Sequence, residues 1–94
     1  MLNVNEYFSG NVKSISFDTP THPATIGVMK KGDYEFSTDT KETMIIVSGE
    51  LAVQHPGESS WQVYSDGQVF EVEGGSSFKV KAVRDTAYLC KYWK

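Results

Sequence analysis

One cysteine, one arginine and two histidines are all that the 94 residues supply of those types, and each shortage removes a class of chemistry. A lone Cys90 excludes an intrachain disulfide and fits a reducing compartment. His22 precedes Pro23 and His55 precedes Pro56, so each sits in a turn and not at ligand spacing on a shared face. There is no Walker loop, no G-x-S-x-G elbow and no CxxC pair. No apolar run approaches the ~18 residues of a membrane span. The opening from Met1 to Glu6 carries neither a basic nor an apolar region of a secretory signal, so a cytoplasmic protein without a membrane partner is expected. Nine basic against twelve acidic side chains give a net charge of −3, a field that does not draw nucleic acid. No stretch keeps a helical period.

What is present is β-rich. Short runs alternate with turn residues at roughly the 8–12 residue interval of a sandwich or barrel. The candidate strands are Asn11–Phe17, Thr25–Met29, Tyr34–Ser37, Thr43–Ser48, Leu51–Gln54, Trp61–Tyr64, Val69–Val72, Phe78–Val83 and Ala87–Trp93. Clusters such as Lys31-Gly32-Asp33, Pro56-Gly57-Glu58 and Asp66-Gly67 punctuate them, because glycine supplies positive φ and proline presets φ. Period-2 alternation assigns faces. Lys79 and Lys81 read as solvent-facing, so Phe78, Val80 and Ala82 point inward; Tyr34, Phe36 and Thr38 share one face, as do Tyr88, Cys90 and Tyr92. Residues 1–94 are expected to form a single domain, and a chain this short buries only roughly 60% of its unfolded surface, so a partner subunit would help.

Two glycine-framed segments organise the chain. The first is Gly32-x3-Phe36-x-Thr38-x3-Glu42-x6-Gly49 and the second is Gly67-x5-Glu73-x-Gly75-x2-Phe78. Their spacing resembles the two motifs of cupins, which implies an all-β, single-domain cupin-type β-barrel (double-stranded β-helix or jelly roll). Metal-binding cupins carry His at the Phe36, Thr38 and Phe78 positions and Glu at Glu42. Only Glu42 remains of that set, so no metal and no other cofactor is expected. Where the second frame usually has Pro, this chain has Glu73.

Several residues admit two readings. Glu42 is either a solvated carboxylate of the Asp39–Glu42 loop or an acid at the rim of an aromatic surface, able to bind sugar hydroxyls or move a proton. Phe36 and Phe78 are core filler or a stacking platform. Thr38 caps a turn or binds an anion or sugar oxygen. Gly74-Gly75-Ser76-Ser77 is a hairpin turn or a phosphate cradle. Arg84, Lys91, Lys30 and Lys13 are the basic candidates for an anion.

Further blocks narrow the resemblance. Asn5-Glu6-Tyr7-Phe8-Ser9-Gly10-Asn11-Val12-Lys13-Ser14-Ile15, Gly27-Val28-Met29, Trp61-Gln62-Val63-Tyr64 and Tyr88-Leu89-Cys90-Lys91-Tyr92 run in order along the chain. Together they resemble the pyrimidine/purine nucleoside phosphorylases of cupin fold. That resemblance implies phosphorolysis of purine and pyrimidine nucleosides by inorganic phosphate, giving free base and ribose 1-phosphate, in a homodimer. Such chemistry needs a held phosphate, negative charge near an oxocarbenium-like sugar and a proton or hydrogen bond for the departing base. Chemistry and strand parity then assign Glu42 and Thr38 as catalytic, Phe36, Phe78 and Tyr88 to the base, and Arg84 or Lys91 to phosphate. A non-catalytic, metal-free cupin module binding a small metabolite explains an aromatic interior equally well.

Overall fold

The computed structural model describes residues 1–93. Ten strands follow one another: β1 Val4–Tyr7, β2 Val12–Asp18, β3 Pro23–Met29, β4 Gly32–Thr38, β5 Glu42–Ser48, β6 Glu50–Gln54, β7 Gln62–Ser65, β8 Val69–Val72, β9 Ser76–Ala82 and β10 Thr86–Tyr92. All pairings are antiparallel. They form a six-stranded sheet in the order β1-β2-β3-β10-β5-β8 and a four-stranded sheet in the order β4-β9-β6-β7. Among the described residues no ladder joins the two, so the all-β expectation holds while closure into one hydrogen-bonded barrel is not seen.

The two sheets pack face to face, because alternation gives each one apolar face. Val12, Met29, Met44, Ile46, Phe70, Val72 and Cys90 enter the core from the larger sheet; Tyr34, Leu51, Val53, Phe78, Val80 and Ala82 meet them from the smaller. The register shifts between Ala87 and Tyr88 of β10 against β5, leaving Val47 as an extra residue. Beside this bulge Gly49 takes φ 130°, and a Cβ there would run into Thr86, so only glycine fits.

β1 lies outside the strands read from the sequence. Its exposed pattern shows why: it has no alternating apolar signal and is held by its ladder to β2 and by Asn5, whose Nδ2 donates to Ser16 Oγ at 2.9 Å. The turn after it is unusual. Phe8, Ser9 and Gly10 take φ 53°, 57° and 85° in succession. A bulky residue in the left-handed region costs about 1–3 kcal/mol. The Phe8 ring offsets this by packing on Tyr34 and Phe36 at centroid distances of 5.0 and 5.5 Å.

Candidate functional site

A cavity of about 680 Å³ opens between the two sheets. Its walls differ in chemistry because different sheets supply them. From the four-stranded sheet, paired β4 and β9 bring Phe36 opposite Phe78, their rings stacked at 5.7 Å and 30°. Phe8 closes this wall with its edge against Phe36, at 84°. From the six-stranded sheet come Ser14, Glu42, Tyr88, Cys90 and Tyr92, with Tyr7 at the end of β1. Asp39 and Thr40 of the β4–β5 loop border the mouth. Glu35 and Ser37, assigned by parity to the other face, also reach the cavity, since β4 is an edge strand that the opening wraps around.

Glu42 begins β5, opposite Tyr92 on one side and Val72 on the other. The Cys90 thiol donates to its Oε1 at 3.4 Å. Burial pushes the Glu42 carboxyl above the usual carboxylate range; the Cys90 hydrogen bond works against this and the nearby Asp39 charge adds to it. Burial likewise raises the Tyr88, Cys90 and Tyr92 groups well above their ordinary values, so all three keep their protons. Tyr92 lies 3.0 Å from Thr25 Oγ1, which ties the end of β10 to β3. Tyr88 fits beneath the ladder because its partner across β3 is Gly27: a Cβ at that position would stand 2.6 Å from the Tyr88 ring and hydroxyl.

The residues singled out from the sequence divide. Glu42, Phe36, Phe78 and Tyr88 line one cavity. Thr38 does not: it is buried, its hydroxyl donates to the Glu73 carbonyl at 2.7 Å and accepts from the Ser76 amide at 3.1 Å. Those bonds, with Gly75 N–H on the Thr38 carbonyl, occupy the Gly75 and Ser76 amides of the glycine-serine run, whose two serines already belong to β9. Arg84 lies outside the cavity, its guanidinium 3.0 Å from Glu50. Lys91 stands on the outer face of β10, opposite Ala24 and Thr43. Sequence reasoning missed Tyr7, Phe8, Cys90 and Tyr92 as cavity residues, although parity already grouped Cys90 and Tyr92 with Tyr88. Among the described residues no three His, Cys, Asp or Glu side chains converge as a metal site.

The likeness to known proteins extends over the whole of this arrangement. A family model described as pyrimidine/purine nucleoside phosphorylase matches residues 2–92. A protein of that name from Saccharophagus degradans is 61% identical over 92 residues, 98% of each chain. One from Marinobacter nauticus is 59% identical over 92 residues, 98% of this chain and 99% of that one. Among solved structures, a Vibrio parahaemolyticus protein of unknown function superposes with a TM-score of 0.94 at 43% identity, covering 99% of both chains. An RmlC-like cupin from Shewanella frigidimarina shares the fold at 17% identity, with a TM-score of 0.75 over 97% of this chain and 82% of that one. From its second residue to its ninety-second, the chain belongs to the pyrimidine/purine nucleoside phosphorylase family.

Proposed function

We propose that the protein cleaves purine and pyrimidine nucleosides with inorganic phosphate, releasing the base and ribose 1-phosphate. The observation that carries this is end-to-end identity above one half with proteins of that name. The cavity supports it, with an aromatic wall facing a wall of hydroxyls and a carboxyl. Phe36, Phe78 and Phe8 offer π-faces to the base. Stacking discriminates poorly between bases, which suits broad specificity. Glu42 accepts hydrogen bonds from the ribose hydroxyls and, ionised, stabilises positive charge at C1′ as the glycosidic C–N bond lengthens. A phosphate oxygen forms the new bond to C1′, and the base leaves with the electron pair of the C–N bond and takes up, in net, the proton that hydrogen phosphate gives up. Thr38 supports this site from beneath, by holding the β4 and β9 ends together. The superposition with the RmlC-like cupin supports reading the two sheets as halves of a flattened double-stranded β-helix. A cytoplasmic location fits the lone, buried cysteine.

The active form is a homodimer in this reading, and the outer face of the six-stranded sheet is where the copies meet. Register places Val4 beside Ile15, Ile15 beside Ile26, Ile26 beside Leu89, Leu89 beside Ile45 and Ile45 beside Val69. This is an unbroken apolar row across six strands, with Val4, Ile26 and Val69 exposed at 60, 41 and 51%. An antiparallel sheet with a solvated face normally alternates to polar residues there. A second copy of the same flat, uncharged row is self-complementary about a two-fold axis.

The deciding experiment incubates chelator-treated protein with uridine, inosine or adenosine, with and without phosphate, and resolves products by chromatography. Phosphate-dependent release of base with ribose 1-phosphate is expected. Release without phosphate, or none at all, would overturn the proposal, the latter in favour of a binding module.

A further inference from the structure

The geometry points to a phosphate subsite built from neutral hydroxyls, with no lysine or arginine in it: Tyr88 and Tyr92, with Ser14 and Tyr7 beside them, receive the phosphate on the six-stranded wall. This rests on the phosphorolytic reading and adds to it where the second substrate sits.

The first support is the placement of positive charge. Eight of the nine basic residues are described, and none lines the cavity. Lys13 pairs with Glu6 at 3.4 Å, Lys30 with Asp85 at 3.9 Å, Lys41 with Glu71 at 3.3 Å and Arg84 with Glu50 at 3.0 Å. Lys79 and Lys81 are exposed on the outward side of β9, and Lys91 lies on the outward side of β10. The charged side chains that do line the cavity are Glu35, Asp39 and Glu42, all acidic. Among the described residues, a cation-held phosphate would therefore need a different cavity from the one that has the aromatic wall.

The second support is a set of donors with protons to spare. Tyr88 is buried, yet among the described residues its hydroxyl makes no hydrogen bond. No sealed side-chain oxygen lacks a partner, so this hydroxyl is not sealed, and Tyr88 lines the cavity. A buried tyrosine hydroxyl ordinarily finds a partner, and an unpartnered one facing a cavity is a place for a ligand acceptor. Ser14 Oγ accepts from Asn5 Nδ2 at 3.4 Å, which leaves its own proton free. When Thr25 donates to Tyr92, the Tyr92 proton is shared only with the Cys90 sulfur, a weaker acceptor than a phosphate oxygen. Phosphate offers mostly acceptors of high charge density, and neutral O–H donors in a partly dry cavity bind these through charge-assisted bonds. The division of walls is then chemical. The base lies on phenyl rings from one sheet and phosphate on hydroxyls from the other, with C1′ and Glu42 between them.

Salt dependence separates this from a cation-held site. Lysine or arginine binding weakens as salt screens the attraction, whereas here salt screens only the repulsion from the three carboxylates. Initial rates with saturating uridine and varied phosphate, at about 0.05 and 0.5 M KCl, are expected to give a KM for phosphate that is unchanged or lower at high salt. Tyr88→Phe and Tyr92→Phe, which remove one oxygen each, are expected to raise that KM about tenfold and leave the uridine KM within twofold. A phosphate KM that rises severalfold with salt would overturn the subsite. So would phenylalanine variants that leave it unchanged, or any single Lys→Ala or Arg→Ala variant, Lys94 included, that raises it tenfold. Calorimetric titration of the same proteins with inorganic phosphate needs no turnover. If no nucleoside is cleaved, the phosphorylase reading falls; the titration still decides the subsite, and no binding, or binding that salt weakens, overturns it.

Discussion

Replacing Gly27 with alanine tests how the packing of the sheet sets the position of a cavity side chain. The added Cβ meets Tyr88 Cζ and its hydroxyl oxygen at 2.6 Å and the Lys13 carbonyl at 2.9 Å. The phenol can tilt away, but the carbonyl belongs to the β2–β3 ladder and has little freedom. Overpacking of this kind costs about 1–3 kcal/mol. Alanine in place of a strand glycine returns about 0.5–1 kcal/mol through reduced freedom of the unfolded chain. At the middle of both ranges the net expectation is a loss of about 1 kcal/mol, which in a domain of this size lowers Tm by roughly 4–8 °C. Thermal melts followed by circular dichroism at fixed protein concentration read this directly. The same change in a Tyr88→Leu background removes both colliding tyrosine atoms and leaves only the carbonyl contact. A coupling of about 1 kcal/mol between the two substitutions is therefore expected. In the otherwise wild-type protein the tilted phenol also intrudes on the cavity, so the phosphate KM rises. Additive effects of the two substitutions, or a Gly27→Ala protein as stable as wild type, would refute the reasoning.

Glu42→Gln is expected to separate stability from activity. Because burial raises the Glu42 carboxyl in the folded protein, the stability it contributes is full below its unfolded value and is lost as pH rises through its folded value. Glutamine never ionises, so the variant should melt higher than wild type near neutral pH, with the advantage shrinking toward about pH 4; phosphorolysis should fall about 100-fold. A variant that keeps the wild-type rate would remove Glu42 from the chemistry. Thr38→Val leaves the Ser76 amide without its acceptor and should cost about 1–3 kcal/mol in denaturant unfolding. Its kcat should stay close to wild type in the folded protein, with Thr38→Ser restoring stability; a large loss of kcat would return Thr38 to the catalytic group. Ile26→Glu puts a charge in the middle of the apolar row and should halve the mass measured by light scattering; an unchanged mass would move the interface elsewhere.

Alternation made the faces of most strands legible. Lys79 and Lys81 bracket inward Phe78, Val80 and Ala82, as observed. The same rule placed Tyr88, Cys90 and Tyr92 together and, applied strictly, would have excluded Lys91 from the cavity, because it has the opposite parity on the same strand. Arg84 lies beyond such reasoning: it sits in the β9–β10 connection, where no period applies, and its direction is set by Glu50, far away in sequence. β1 was illegible because an edge strand held by backbone ladders and an asparagine needs no apolar pattern. Phe8 was hidden for another reason. A phenylalanine with positive φ contradicts local preference, and only the rings of Tyr34 and Phe36, distant in the chain, explain it. Thr38 shows the limit of motif spacing. The frame gives its position, while its bonds to Glu73 and Ser76 give its role in packing.

The burial of Cys90 has a practical consequence. Its strand is central in the larger sheet, paired with β3 on one side and β5 on the other, and its thiol is held in the protonated form. A thiol in that state reacts slowly, and a reagent reaches it through the cavity that Cys90 lines or when the strand comes apart. Because the chain has no other sulfhydryl, the rate at which a thiol reagent labels the native protein reports access to that cavity wall. Nucleoside and phosphate, filling the cavity as proposed, should slow the labelling as they occupy it. A single natural residue thus gives a ligand-binding assay that needs neither turnover nor an added label site.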